Sequence, residues 1–291
     1  MDTHSLQLFL TLSETLHFHR ASQLCHTSPS SLSRNIKQLE TQLGVSLFIR
    51  DNRSVSLTRE GRLLQDYARD TISQWETLRD TLLKDTDILQ GTISIYCSVT
   101  ASYSFLYDIL SEFRLNHPKI EIKLHTGDPT PAITRVVAGQ EDIAIAGRPT
   151  KLPGGLAFRR ISTTPLVFIA PDGRNFSSLD ITNWKEIPMI LSEEGIAREK
   201  VNRWFRNNGI TPNIYAQVAG HEAIVSMVSL GFGVGVVPKI VLDNSPLLKK
   251  VKILEIQPPL ENYDVGICVL ERRLRSPIVD AFWKQLDERQ R

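Results

Sequence analysis

The stretch SPSSLSRNIKQLETQL, residues 28–43, decides how the first part of this chain folds. Ser28 followed by Pro29 is typical of a helix N-cap and first helical residue, because the hydroxyl accepts a free N–H and proline has none to lose. Gly44 ends the helix, since glycine adopts the left-handed conformation at little cost. Apolar residues recur at spacings of four, three and four: Leu32, Ile36, Leu39 and Leu43. The stretch therefore predicts one amphipathic helix.

The opposite face of this helix carries two cations and short hydroxyls but no acid: Ser30, Ser33, Arg34 and Lys37. Such a face suits a phosphate backbone and base edges in a major groove, although a solvated face is the commoner explanation for one helix alone. The flanking sequence favours the first explanation. Two short helices are expected before it, at about residues 5–15 and 18–25, the second with Ala21 and Leu24 facing inward.

Two short helices, a turn at His26-Thr27 and a third helix with a polar outer face predict a helix-turn-helix. A hairpin follows over residues 45–58, with Arg50 and Arg53 beside its tip. An arginine there can enter a minor groove, where the potential is most negative. The predicted DNA-binding residues are Ser28, Ser30, Ser33, Arg34, Lys37, Arg50 and Arg53.

Thr58 is expected to cap a long helix that continues to about Leu89. At 1.5 Å per residue, roughly thirty residues span about 45 Å. Its apolar seam runs for nearly three heptads and favours pairing with a second copy of the chain, which would carry two DNA-binding heads. An intramolecular packing helix is the alternative. The predicted dimerisation residues are Leu64, Ala68, Trp75, Leu78 and Leu82.

From residue 92 the pattern changes to strands alternating with helices, which predicts parallel sheet with helices on both faces. Strands are expected at residues 93–98, 120–124, 142–147, 165–171, 188–191, 214–218, 234–238 and 263–270. Two α/β lobes whose chain crosses twice resemble a periplasmic-binding-protein fold, which holds a small molecule between its lobes. The overall prediction is an α/β chain with a winged helix-turn-helix, a linker helix and a two-lobed effector domain.

Polar residues follow the predicted strands, where helix starts and hydroxyls can converge on an anion. Arg148 follows the third strand and is a natural partner for a carboxylate, with a surface salt bridge as the alternative. For each hydroxyl alone a helix cap is the alternative. The predicted effector-binding residues are Ser98, Thr100, Ser102, Thr126, Gly127, Asp128, Arg148, Gly195, Ile196, Gly220 and His221.

Bulk properties narrow the remaining possibilities. The 291 residues suggest two or three domains, and a net charge of +2 places any affinity for nucleic acid in a local cluster. The three cysteines lack CxxC spacing and are expected to be core residues in a reducing cytoplasm. The start of the chain does not resemble a secretion leader, and no apolar run is long enough to span a bilayer.

Enzyme and metal chemistry find little support in the motifs. The chain has no G-x-S-x-G, HExxH or P-loop, and its three-glycine stretch at residues 231–235 does not have Rossmann spacing. His4, His17, His19, Cys25 and His26 lack the spacing of a zinc finger. We therefore expect neither an enzyme nor a metal site, and no cofactor beyond a small-molecule inducer. An enzyme or solute-binding domain fused to a DNA-binding head is a less favoured alternative.

Residues 1–90 resemble the N-terminal region of the LysR-type transcriptional regulators. The resemblance lies in Phe9, Ala21, Leu24, Ser28, Leu32-Ser33-Arg34, Ile36, Leu39-Glu40, Leu43-Gly44, Leu47-Phe48, Arg50, Leu57-Thr58 and Gly61. It implies a DNA-binding domain at residues 1–58, a dimerising linker at 59–91 and an effector domain at 92–291. Pro29-Ser30 replaces the glutamine and proline usual in the family, so a glutamine contact to a base is unavailable here.

Later stretches, including CSVTASYS, IEIKLHTGD, AIAGRP and GHEAIVSMVSLG, resemble one subgroup of that family. The subgroup activates branched-chain amino acid (isoleucine and valine) biosynthesis, which implies acetolactate or acetohydroxybutyrate as the effector. The resemblance also implies operator DNA and RNA polymerase as partners, and a homodimer that forms a homotetramer. Regulation of another pathway through a different small carboxylate is the alternative. Lobe I is expected at about 92–161 and 268–291, and lobe II at about 162–267.

Overall fold

The computed structural model describes residues 2–51, 54–82, 89–173 and 184–288. The chain divides into two compact units, a first of Met1–Asp87 with Ala138–Gln140 and a second of Ile88–Val137 with Glu141–Arg291. The mixed α/β architecture confirms the predicted fold class. Among the described helices, none has the length and apolar character needed to cross a membrane.

The described part of the first unit contains four helices and a hairpin: α1 (Thr3–Thr15), α2 (Phe18–Leu24), α3 (Pro29–Leu43), β1 (Phe48–Arg50), β2 (Val55–Leu57) and α4 (Arg59–Leu82). Leu32, Ile36 and Leu39 of α3 are buried in a core shared with α1, α2 and β1, as the apolar stripe predicted, whereas Leu43 at the end of that stripe is 41% exposed. Leu24 is 60% exposed, so the prediction that it faces inward is wrong. It is the last residue of the short α2, where the chain already turns away from the core.

Helix α4 begins as predicted, because the Thr58 hydroxyl accepts a hydrogen bond from the Gly61 N–H at 2.8 Å. Only glycine fits at position 61, since a Cβ there would lie 2.2 Å from the carbonyl oxygen of Leu47. The helix is described as far as Leu82, and residues 83–88 lie outside the described residues. Leu89 is not helical, and the predicted end of the helix just before it stays a prediction.

The second unit begins with β3 (Gln90–Cys97), a short helix α5 (Val99–Ala101), a π-helical turn (Ser102–Leu106) and α6 (Tyr107–Asn116). Its other elements are β4 (Lys119–Thr126), α7 (Ala132–Val137), β5 (Ile143–Gly147), β6 (Leu156–Pro171), β7 (Pro188–Ser192), α8 (Ile196–Asn207), β8 (Asn213–Val218), α9 (His221–Ser229), β9 (Val234–Pro238), α10 (Lys239–Asp243), β10 (Val251–Leu254), β11 (Asn262–Leu270) and α11 (Pro277–Glu288). Single turns of 3-10 helix precede β10 and α11.

Two lobes arise because one long strand serves both. In lobe I the strand order is β4-β3-β5-β11-β6, with β3 parallel to β4 and β5. In lobe II β6 continues to β9, β7 and β8, with β10 on its other edge. Residues 156–165 of β6 pair with β11, whereas 166–171 pair with β9 and β10.

The sequence pattern predicted the segments that cross between the lobes only in part. It predicted only the lobe II half of β6 and neither α10 nor β10. Strand β11 joins the lobe I sheet from Asn262, which corrects the expected return at residue 268. Between Leu156 and Thr163 only Leu156 of β6 is fully buried, and Arg159 and Arg160 interrupt this half of the strand, so it lacks the continuous apolar run of the other strands.

Candidate functional site

The start of α3 has the cap that the sequence predicted. The Ser28 hydroxyl accepts a hydrogen bond from the Ser31 N–H at 3.1 Å and lies 3.0 Å from the Ser30 hydroxyl. Gly44 adopts the left-handed conformation at φ 71° and closes the other end. The helix therefore presents clustered hydroxyls and free N–H groups at its start, an arrangement that binds phosphate oxygens well.

The outer face of α3 carries free positive charge. Ser30, Arg34 and Lys37 are exposed and Ser33 is half-buried. Within the described ranges neither Arg34 nor Lys37 takes part in an ion pair. Because these residues are spaced three and four apart, they form one row along the helix. This row can enter a major groove with its charges unneutralised.

Arg50 makes contacts within the first unit that the sequence did not predict. Its Nη2 donates to Glu40 Oε2 at 2.9 Å, and its guanidinium lies 5.2 Å from the centre of the Phe18 ring. The other oxygen of Glu40 accepts from the N–H groups of Leu47 and Phe48 at 2.9 and 3.3 Å. Arg50 thus joins α2, α3 and the wing, and its contact with DNA stays a prediction.

The wing itself is a two-stranded antiparallel hairpin. Asp51 shapes its turn, because its carboxylate accepts from the N–H and the hydroxyl of Ser54 at 2.6 and 2.7 Å. The predicted minor-groove residue, Arg53, lies outside the described residues. Its contact with DNA stays a prediction.

The predicted dimerisation seam on α4 splits into two parts. Ala68 is fully buried in the core of the first unit, and Leu64 packs against the same core. Trp75, Leu78 and Leu82 are 48, 50 and 69% exposed. The first two residues of the seam are therefore intramolecular, and only the last three present an apolar surface to a partner.

The second unit contains a cavity of about 270 Å³ between its lobes. Lobe I contributes Asp128, Pro129, Thr130, Pro131, Ile133, Ala146, Gly147 and Tyr263. Lobe II contributes Ser192, Glu193, Glu194, Gly195, Ile196, Ala197, Val218, Ala219, Gly220 and His221. The lining of this cavity includes three carboxylates but no lysine or arginine in the described part of the chain.

Two helix starts face this cavity without side-chain caps. Gly195 precedes α8 and Gly220 precedes α9, with φ of 93° and 80°, and neither helix has a capping hydrogen bond from a side chain. Uncapped N–H groups at a helix start carry a partial positive charge. They are the groups in this cavity best suited to hold a carboxylate.

His221 and Tyr263 form a buried polar pair at the inner wall. Each is 7% exposed, and their rings are arranged edge to face with their centres 6.3 Å apart. Burial lowers the pKa of His221, although nearby Glu222 and Asp128 oppose that shift. Burial, with a contribution from Asp128, raises the pKa of Tyr263 to about 12. Both groups are therefore neutral near pH 7 and suit hydroxyl or carbonyl oxygens of a ligand.

The predicted effector residues separate into three groups. Asp128, Gly195, Ile196, Gly220 and His221 line the main cavity. Ser98 and Thr100 line a smaller apolar cavity of about 30 Å³ that shares His221 and Tyr263 with it. Thr126, Gly127 and Ser102 line neither of these two cavities.

Arg148 also lies away from both cavities, which corrects the expectation that its guanidinium faces the crevice. The side chain is exposed, and its guanidinium lies 5.7 Å from the centre of the Phe158 ring. It lines a shallow depression beside Arg160 and Thr163 instead. Its backbone N–H donates to the carbonyl oxygen of Asp264 at 2.8 Å, so the strand ends where predicted but the side chain turns outward.

Family models match both units. The bacterial regulatory helix-turn-helix model of the lysR family covers residues 3–62, and the LysR substrate binding domain model covers residues 87–291. The chain belongs to the LysR family. It is therefore a DNA-binding transcriptional regulator of the LysR type, as the first ninety residues predicted.

Several LysR relatives are similar over nearly their whole length. The chain is 46% identical to the HTH-type transcriptional activator IlvY of Salmonella typhimurium strain LT2, covering 98% of this chain and 99% of the relative. It is 45% identical to the HTH-type transcriptional regulator IlvY of Escherichia coli K12, covering 98% of this chain and 99% of the relative. It is 42% identical to the HTH-type transcriptional activator IlvY of Haemophilus influenzae, covering 99% of this chain and 100% of the relative. These relatives are named regulators, not enzymes.

Solved LysR structures share the fold. A full-length variant of OxyR from Pseudomonas aeruginosa superposes with a TM-score of 0.72 at 20% identity, covering 98% of this chain and 94% of that one. CbnR in complex with its target DNA gives a TM-score of 0.67 at 19% identity, with 99% of each chain covered. At these identities the likeness concerns architecture alone.

Several residues at the α3–wing contact and at the interlobe cavity were not predicted from the sequence. Glu40 is one of the residues that resemble the family, but its pairing with Arg50 was not predicted. Tyr263 and Thr130 reach the cavity because the two lobes meet, which no local pattern encodes. Glu222 could have been noticed, since an acid directly after Gly220-His221 lies in the first turn of a helix.

Proposed function

We propose that this regulator activates genes of isoleucine and valine biosynthesis in response to acetolactate or acetohydroxybutyrate bound in the interlobe cavity. The proposal extends to this chain the activator role named for its IlvY relatives, which it matches at 42–46% identity over nearly full length. The observation that carries it is the pair of uncapped helix starts at Gly195 and Gly220, which face one cavity together with His221 and Tyr263.

The chemistry of the two acids suits this cavity. Each offers a carboxylate, a hydroxyl and a ketone on a short branched chain. The helix starts would bind the carboxylate, and the neutral His221 and Tyr263 would bind the uncharged oxygens. The cavity volume of about 270 Å³ lies at the low end of the roughly 300–1,000 Å³ usual for small-molecule sites, which favours a short acid.

The absence of a lysine or arginine in the described lining restricts how an acid can sit. Asp128, Glu193 and Glu194 would repel a ligand carboxylate placed near them. Glu193 and Glu194 are exposed, so solvent screens much of their charge. The ligand carboxylate is therefore directed toward Gly195 and Gly220, and its uncharged end toward the lobe I wall.

In this proposal the exposed end of α4 pairs with a second copy, and the dimer places two heads on separated half-sites. Two dimers would join as a tetramer, and the bound effector would change the DNA bend and the recruitment of RNA polymerase. The effector must bind one arrangement of the lobes more tightly than another for this to occur.

Thermal unfolding of the full chain with each acid tests the effector. At about one hundred times the Kd, binding contributes ~2.7 kcal/mol, which corresponds to a rise in Tm of roughly 5–10 °C for a domain of this size. Pyruvate and 2-oxobutyrate, which lack the branched hydroxyl carbon, serve as controls. A rise with a different short acid and none with acetolactate or acetohydroxybutyrate would reject the effector and favour a LysR regulator of another pathway.

A further inference from the structure

Glu222 makes a polar connection between the two lobes. It is the second residue of α9 in lobe II, and its Oε1 accepts from the N–H of Thr100 at 3.2 Å and from the Thr100 hydroxyl at 2.5 Å. Thr100 belongs to lobe I, in the short helix after β3, and is only 5% exposed. One carboxylate oxygen therefore satisfies two donors of a buried residue in the other lobe.

A second polar contact joins the same two regions. Asn244, which follows α10 in lobe II, donates from Nδ2 to the Ser104 hydroxyl in lobe I at 3.1 Å. Ser104 lies in the π-helical turn that continues from Thr100. The helical stretch of residues 99–106 thus receives side chains from two separate elements of lobe II.

The Glu222 contact lies directly beside the effector cavity. Gly220 and His221 line the main cavity, and the next residue is Glu222. Thr100 lines the smaller cavity that shares His221 and Tyr263 with the main one. The contact therefore holds the start of α9, with its uncapped N–H groups, against the wall that lobe I provides.

A contact between the lobes affects ligand affinity because it changes how often the two halves of the cavity are held together. A ligand that touches both lobes must supply the free energy of bringing them together unless the protein has already done so. When only a fraction of the molecules have the site assembled, the observed affinity is the intrinsic affinity multiplied by that fraction. Because Glu222 is largely exposed to solvent, its charge is screened, and the directed hydrogen bonds at Oε1 supply the main contribution.

We propose that Glu222 is a positioning residue, an interlobe latch that holds the two halves of the effector cavity together before the effector binds. Its effect on affinity rests on the proposed function of that cavity. The latch itself, which is the hydrogen bonding of Thr100 to Glu222 in the free protein, does not rest on that proposed function.

Amide hydrogen exchange at Thr100 in the effector-free full chain tests the latch. Glu222→Ala removes the acceptor, and we expect the Thr100 N–H to exchange about tenfold faster, corresponding to ~1.4 kcal/mol. Glu222→Gln keeps an oxygen that can accept both bonds and should restore most of the protection. Glu199→Ala, which removes an exposed acid from the first turn of α8, is the matched control and should leave Thr100 unchanged.

Binding of the acid that raises Tm in the wild-type chain gives the second readout. We expect Glu222→Ala to weaken binding about tenfold and Glu222→Gln to weaken it less than threefold. Unchanged Thr100 exchange in Glu222→Ala overturns the latch. Faster exchange with unchanged affinity overturns the positioning role and leaves the proposed function intact. If the wild-type chain binds none of the acids, the proposed effector fails, and the exchange experiment alone decides the latch.

Discussion

Two arginines of the first unit show how a side chain's partners decide its role. Arg50 is held by Glu40 and the Phe18 ring, whereas Arg34 is exposed on the row that α3 presents to solvent. An arginine already paired with a carboxylate has less to gain from a phosphate, because the existing hydrogen bonds must first be broken. Of these two arginines, we therefore expect Arg34 to contribute more to DNA binding.

If the Arg34 side chain contacts a base, replacing it with alanine should weaken binding to operator DNA by about 1–3 kcal/mol. If it contacts a phosphate, the replacement should lower the slope of log affinity against log salt concentration by about one. Titration of labelled operator at several salt concentrations distinguishes the two. Lys249→Ala, which removes an exposed charge from the second unit, is the control. Equal losses for the two variants would contradict a specific role for Arg34.

His221 makes stability depend on pH. Burial holds its pKa below the ordinary value of 6.5 in the folded chain, so the unfolded chain binds more protons as the pH falls below that value. Stability is therefore complete above about pH 6.5 and declines below it, by at most ~1.4 kcal/mol per pH unit. Urea unfolding at pH 7.5 and 5.5 measures this loss. His221→Gln should lose less stability between these two pH values than the wild type, and an identical loss would show that His221 does not titrate in this way.

At the scale of elements, α3 was the most predictable part of the chain. Its cap, its first residue and its last residue each depend on a local conformation, and the structure has all three as predicted. Helix α4 was less predictable, because a regular apolar seam does not specify which partner covers each part of it. The core of the first unit covers Leu64 and Ala68, which leaves the exposed residues after them for another chain.

Leu78→Glu places a charge in the middle of this exposed surface and should dissociate the proposed dimer, since burying an unpaired carboxylate costs several kcal/mol. Sedimentation at low micromolar concentration measures the change in mass. Leu78→Met, which conserves volume and apolar character, should remain dimeric. A dimer that survives Leu78→Glu would place the interface elsewhere on the chain.

At the scale of the whole molecule, the effector cavity depends on how β6 and β11 cross between the lobes. The sequence order of strands and helices predicted two α/β lobes and the turns at their edges. It placed Arg148 at the correct strand end, yet that side chain turns toward Phe158 instead of the cavity. A strand's end can be inferred from pattern, but the direction of the residue after it depends on neighbours distant in sequence.

The sequence by itself determined the helix-turn-helix, the alternation of strands and helices and the family, because these rest on local periodicity, helix caps and motif spacing. Helix α3 kept its predicted bounds, and Ser30, Arg34 and Lys37 of its polar row are exposed as expected. Only the tertiary structure decided that Glu40 holds Arg50, that Ala68 is a core residue, and that Glu222 reaches Thr100 across the lobes. Each of these depends on side chains brought together by packing, a long-range outcome that no local pattern contains.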